Sequence, residues 1–194
     1  MWSEIQRYKR TRLVFALILA LAFSIGIISC SCTGRLRELA LSAQHLAGRC
    51  TALPTGADSL PAYIQAACSA CFIPMILCLV SYLFSFTVYS PPVAGAAVAV
   101  FSFCMGAICA ETASPDIPYL LRAGLCIFLA EEVGRVGAHC ACLGITLYRR
   151  SPANTRVLFS MPEVRRCTYV LCSSALSMFL FGCARILLTR LLVR

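Results

Sequence analysis

Charge is scarce in this chain. Asp, Glu, Lys and Arg make up 13% of its 194 residues, against roughly 25% in an average soluble domain, and only eight of them are acids. Catalytic signatures are missing as well: there is no HExxH, no GxSxG, no serine–lysine pair in a plausible setting and no couple of carboxylates on separate apolar stretches. A hydrolase or metalloprotease would thus lack its nucleophile or its ligands, and the chain reads as non-enzymatic, without cofactor. An intramembrane protease fares no better, because His139 has no evident serine to activate. Phosphate-binding loops, RNA-binding signatures and zinc-finger spacings are also absent, so the net charge of +9 is not read as a nucleic-acid footprint.

Apolar sequence takes the place of what is missing. Hydrophobic residues account for 60% of the chain and the mean hydropathy is +0.82. Crossing a hydrocarbon core of roughly 30 Å takes ~20 mostly apolar residues, and five stretches approach that length, at about 13–32, 70–90, 93–110, 123–148 and 167–188. The expected fold is an all-α integral membrane protein, a single membrane domain over 1–194 with a bundle of about five transmembrane helices and a short extracytoplasmic amphipathic segment.

Orientation follows from the arginines. Arg7, Lys9, Arg10 and Arg12 precede the first apolar run, and Arg149, Arg150, Arg156, Arg165 and Arg166 fill the loop 149–166. Those nine cations outnumber the five on the other side, so the N-terminus and this loop are expected in the cytoplasm and the C-terminus outside a cell membrane that the chain crosses several times. A signal peptide is the competing reading of 13–32, and Ile27-Ile28-Ser29-Cys30 resembles a lipoprotein cleavage box. The run is long for a signal core and no small-residue cleavage site follows it, which favours a retained anchor.

The segment 33–69 is the one sizeable polar stretch. Leu36, Leu39, Ala40, Ala43, Leu46 and Ala47 follow helical spacing, with Arg35, Arg37, Glu38, Gln44 and Arg49 mostly elsewhere around the axis. That pattern predicts a short amphipathic helix on the outer membrane surface. Pro54, Gly56 and Pro61 then break the chain, and His45 reads as a solvated side chain. Further on, Pro91-Pro92 is expected to end the second span. Glu111 and Asp116 mark a short acidic turn after the third.

Two patterns stand out inside the spans. Gly95, Ala99, Ser102 and Gly106 recur at steps of four, three and four, a seam of small residues on one face of the third span that lets another helix come close. On the fourth span Glu131, Glu132, Arg135 and His139 fall within about a 100° arc. Glu131–Arg135 (i,i+4) and Glu132–Arg135 (i,i+3) are both within reach. Near mid-bilayer a bare charge costs at least ~2.5–3.5 kcal/mol, so these groups are expected to face the bundle interior or pair. Two acids share one arginine, and one of them is expected to go without a cation on its own helix.

The fourteen cysteines suggest a disulfide or metal inventory, but Cys78, Cys104, Cys109, Cys126, Cys140, Cys142, Cys172 and Cys183 lie inside apolar spans, where a thiol acts as a small hydrophobe. Cys68-Ser-Ala-Cys71 has CxxC spacing with no second CxxC or suitable histidine, so no metal site is assigned. Cys30, Cys32, Cys50, Cys68 and Cys71 fall near the outer side, where a disulfide needs an oxidising compartment.

The stretch 82–106, YLFSFTVYSPPVAGAAVAVFSFCMG, resembles the span–proline turn–span of the stage II sporulation protein M family, with a glycine late in the third helix. The order of parts is similar over the whole chain: basic N-terminus, one anchor, an extracytoplasmic segment, then clustered hydrophobic helices. Many relatives carry His-Gly-x-x-Glu near the fourth span, where this chain reads Leu129-Ala130-Glu131-Glu132-Val133-Gly134. The resemblance implies a non-enzymatic membrane scaffold that recruits peptidoglycan-degrading partners during engulfment. The expected function is therefore a multi-pass scaffold whose partners are the lipid bilayer and other membrane or envelope proteins, without nucleic acid. The alternative is a subunit of a transporter or ion-translocating complex, with the Glu/Arg/His stripe in its pathway.

Overall fold

A computed structural model describes residues 2–32, 34–51, 60–110, 119–150 and 161–193, and among the described residues every regular element is a helix. They are α1 (Trp2–Ser31), α2 (Arg35–Thr51), α3 (Leu60–Phe84), α4 (Ser90–Ala110), α5 (Tyr119–Arg150) and α6 (Pro162–Val193). The breakers Pro54 and Gly56, the acidic turn with Glu111 and Asp116, and the loop around Arg156 lie outside the described residues, as do the side chains of His45, Arg49 and Cys50.

Helix α5 is the axis of the bundle, packed against α1, α3, α4 and α6. Its contacts give the helix directions. Tyr8 meets His139 while Leu19 meets Gly134, so α1 and α5 are antiparallel. Cys140 lies by Cys167 and Arg135 by Ser174, so α5 and α6 are antiparallel too. By contrast α1 and α4 run parallel, with Ile18 near Gly95 and Phe23 against Gly106. The starts of α1, α4 and α6 and the ends of α3 and α5 therefore share one end of the bundle. Lys9, Arg10, Arg12, Arg149, Arg165 and Arg166 are exposed there, and that end is called the basic end below.

Among the described residues, three helices are long and apolar enough to cross a membrane: Tyr8–Ser31, Ser90–Ala110 and Pro162–Ala184. Cys71–Phe84 is a shorter apolar helix. Helix α5 is not among the three, because Arg122, Glu131, Glu132 and Arg135 interrupt its apolar sequence. The outer faces have the character of lipid-facing surface. On α1, Leu13, Leu17, Leu21 and Ile28 form an exposed stripe, and on α3 Phe72, Ile76, Leu79 and Leu83 do the same. Contiguous apolar surface of this extent is foreign to a monomer in water.

The α3–α4 connection departs from the sequence expectation. Helix α3 ends at Phe84, and Ser85–Tyr89 form the turn. Val93 N–H donates to the Tyr89 carbonyl at 3.0 Å, so Pro91 and Pro92 sit in the first turn of α4. A missing N–H costs nothing there, because first-turn donors have no helical acceptor. The prolines thus open the third apolar helix and the break comes before them.

Helix α2 follows a turn at Gly34, whose φ of 78° is a left-handed conformation that suits glycine. It packs against α1, α3 and α4 at the far end of the bundle. Gln44 Nε2 anchors it by donating to the Ala107 carbonyl at 2.9 Å. Ala40 is buried, whereas Leu36, Leu39 and Leu41 are exposed.

Candidate functional site

Small residues let the helices close up on α5 and α4. Added Cβ atoms at Gly26 and Gly106 would overlap the backbone carbonyls of Phe103 and Phe23, so each glycine admits the other helix's main chain. In the predicted seam Gly106 makes this close approach, Ser102 is buried, Ala99 is half-buried, and Gly95 faces Ile18 Cδ1 at the 4.0 Å edge of contact. Gly137 receives Phe15 and Val98, whose ring and methyl atoms stand 3.0 and 2.9 Å from where its Cβ would be. Glycines on α5 thereby bring α1 beside the polar stripe.

The stripe itself divides three ways. Glu132 is buried, and its Oε2 accepts from Arg135 Nη2 at 2.7 Å. The same Nη2 donates to the buried Ser174 Oγ on α6 at 3.0 Å, while Arg135 Nε has no hydrogen-bond partner among the described residues. The i,i+3 pair is formed, and it is the one ion pair between described residues.

His139 faces α1. Its Nδ1 lies 2.9 Å from the Arg135 carbonyl, which can only accept, so Nδ1 carries the proton and donates there. The Tyr8 hydroxyl oxygen shares that proton from 3.3 Å, and the two rings lie 4.7 Å apart. On the other side of Tyr8, the Arg166 guanidinium from α6 sits 5.8 Å from the ring centroid, within cation–π range.

Glu131 is the departure. It was expected to face the bundle interior or pair, and it is exposed instead. It lines a small cavity of about 120 Å³ between α1 and α5 together with Arg12, Phe15, Leu19 and Arg135. One step of 100° along the helix separates it from Glu132, enough to bury one acid beside Arg135 and leave the other on the α1 side.

Together these groups form a polar groove at the basic half of the bundle. The cavity in it lies between α1 and α5, with Arg12 and Glu131 in its lining, while α6 reaches these groups through Arg166 at the Tyr8 ring and the buried Ser174 at Arg135. Tyr8, Arg12, Arg166 and Ser174 escaped the sequence reading, because each is unremarkable within its own helix. A larger recess of about 610 Å³ between α3 and α6, lined by Phe72, Met75, Leu79, Leu171 and Phe179 among others, is almost wholly apolar and carries no such chemistry.

None of the thirteen cysteines with described side chains is in a disulfide. Among the described residues no group of three or more His, Cys, Asp or Glu is placed to hold a metal ion. Comparison with known protein families, with curated proteins and with solved structures returns no match.

Proposed function

We propose that the chain is a five-span membrane protein that acts as a scaffold for other membrane or envelope proteins. In this reading α1, α3, α4, α5 and α6 cross the bilayer, the basic end faces the cytoplasm and α2 lies at the outer surface. The supporting observation is how the α5 polar groups are used. Glu132, Arg135 and His139 spend their hydrogen bonds on each other and on Ser174 and Tyr8, tying three helices together rather than lining a passage. A helix as polar as α5 tolerates lipid only when neighbours cover it, and α1, α3, α4 and α6 do so.

The narrower form of the proposal, recruitment of peptidoglycan-degrading partners in sporulation and engulfment, is supported only by the resemblance over 82–106. One observation favours the alternative, a subunit of an ion-translocating complex: Glu131 is exposed beside Arg12 in a cavity. Glu131→Ala separates the two readings, since it removes no ion pair formed between described residues. Loss of partner co-purification with unchanged transport supports the scaffold; loss of potential-dependent transport with intact assembly supports the translocating complex. The five-span arrangement is tested by tags after Met1 and after Arg194, which must report opposite sides of the membrane.

A further inference from the structure

Glu131 and Arg135 stand one turn apart on α5 and could pair, but they do not. Arg135 turns its Nη2 to Glu132 at 2.7 Å and to Ser174 on α6 at 3.0 Å. Its Nη1 makes no hydrogen bond among the described residues, and neither Glu131 nor Arg12 has a hydrogen bond or ion pair there. All three nevertheless line one cavity of about 120 Å³ between α1 and α5, with Phe15, Ala16 and Leu19 as its apolar wall. Two cations and one acid thus share a small space without touching each other. In a span, ionisable side chains beside a cavity mark a functional site by default. Water is the plain filling, and the volume admits about four molecules at ~30 Å³ each.

The charges narrow the ligand that could replace the water. A simple anion would satisfy the guanidinium groups and be repelled by Glu131, and a simple cation would meet the reverse. A molecule with both an ammonium and a carboxylate satisfies all three, because a guanidinium takes a carboxylate in a two-pronged bond and Glu131 accepts from an ammonium. Spacing agrees. Side chains at i and i+4 of a helix have their Cβ atoms ~5–6 Å apart, which suits a zwitterion whose two charged groups sit on one carbon. Size sets the limit: the cavity is smaller than a roughly 150 Å³ cavity that accepts benzene, so glycine and alanine fit and a large side chain does not. Arg12 is exposed immediately before the apolar run of α1, so water at the basic end reaches the edge of the site.

We propose that the cavity between α1 and α5 binds a small zwitterionic α-amino acid, of the size of glycine or alanine. Arg12 and the Nη1 edge of Arg135 hold its carboxylate, Glu131 accepts from its ammonium, and Phe15 and Leu19 face its carbon side. The site belongs to the chain itself, so it goes beyond the scaffold reading and stands or falls separately from it.

The test uses the full chain purified in detergent, with calorimetric titration and thermal unfolding as readouts. Glycine, L-alanine, L-phenylalanine, acetate and methylamine are added in separate arms. Glycine and alanine are expected to bind saturably and raise Tm, and the other three to bind at least about tenfold more weakly, each lacking one charge or exceeding the space. Glu131→Gln and Arg12→Gln are each expected to weaken glycine roughly tenfold, the loss of one hydrogen bond between charged groups. Ala16→Leu, which fills the cavity without changing charge, should abolish binding, whereas Arg149→Gln, outside the cavity, should leave it unchanged. No saturable response to glycine or alanine up to roughly 10 mM overturns the proposal and leaves the cavity to water. Equal binding of acetate makes it an anion site and equal binding of methylamine a cation site, and either result overturns the zwitterion. Equal binding of phenylalanine puts the ligand outside the cavity and overturns it as well, as does an equal effect of Arg149→Gln. If Arg12→Gln lowers Tm without ligand, Glu131→Gln decides, because it removes no ion pair between described residues. Weaker glycine binding at unchanged Tm then supports the site, and unaltered binding overturns it.

Discussion

Gly26 of α1 and Gly106 of α4 each lie against the other helix's main chain, Gly26 on the Phe103 carbonyl and Gly106 on the Phe23 carbonyl. The obstacle a side chain would meet is backbone on both sides, which cannot rotate out of the way. This crossing fixes how closely α1 approaches the rest of the bundle, and therefore how Tyr8 and Arg12 come to face α5.

Gly26→Ala and Gly106→Ala are each expected to push α1 and α4 apart and lower stability by about 1–3 kcal/mol, the usual cost of overpacking. Thermal unfolding in detergent checks this. Gly124, where an added Cβ meets nothing within 4 Å, is the control. Gly124→Ala should be neutral or stabilise by up to ~1 kcal/mol through helix propensity.

The two neighbouring acids of α5 are expected to behave differently. Glu132→Ala strands Arg135 with Ser174 as its remaining described partner and should cost about 1–3 kcal/mol. Glu131→Ala, at an exposed position, should stay within about 0.5 kcal/mol of the parent. Equal losses in a denaturation series would show that Glu131 is structural as well.

Cys140 and Cys167 bring their sulfurs to 3.7 Å in the buried contact between α5 and α6. A membrane-permeant oxidant should therefore cross-link them. After proteolysis within 151–160 the two fragments should stay together on a non-reducing gel, and separate when reduced or in Cys140→Ala. Failure to cross-link would argue against this pairing of helices.

Tyr8→Phe keeps the ring between His139 and Arg166 and removes only the hydroxyl that shares the His139 proton. The loss should be small, about 0.5–1.5 kcal/mol. Tyr8→Ala, which also abolishes both ring contacts, should cost more in the same unfolding assay.

Much of the helix order is legible in the sequence, since five apolar stretches and the amphipathic spacing of 35–49 each correspond to a helix. Local backbone chemistry moved the boundaries: Pro91 and Pro92 read as a stop and serve as a start, because proline is tolerated in a first turn. Within the stripe, spacing put Glu131, Glu132, Arg135 and His139 on one arc, but one arc can face two neighbours. Which acid Arg135 would choose depends on Ser174, 39 residues away, and the setting of His139 depends on Tyr8, 131 residues away. Gly26 gave no signal, because a single glycine in an apolar run has no partner at helical spacing.

The parallel crossing of α1 and α4 also has a bearing on biosynthesis. Gly26 leaves the ribosome long before Gly106, so α1 must wait through the production of α2 and α3 with its flattest face uncovered. Arg135 waits in turn for Ser174 on α6, which is made after α5. A chain halted before α6 would hold the Arg135 guanidinium through Glu132 alone, with the Ser174 hydroxyl still to come.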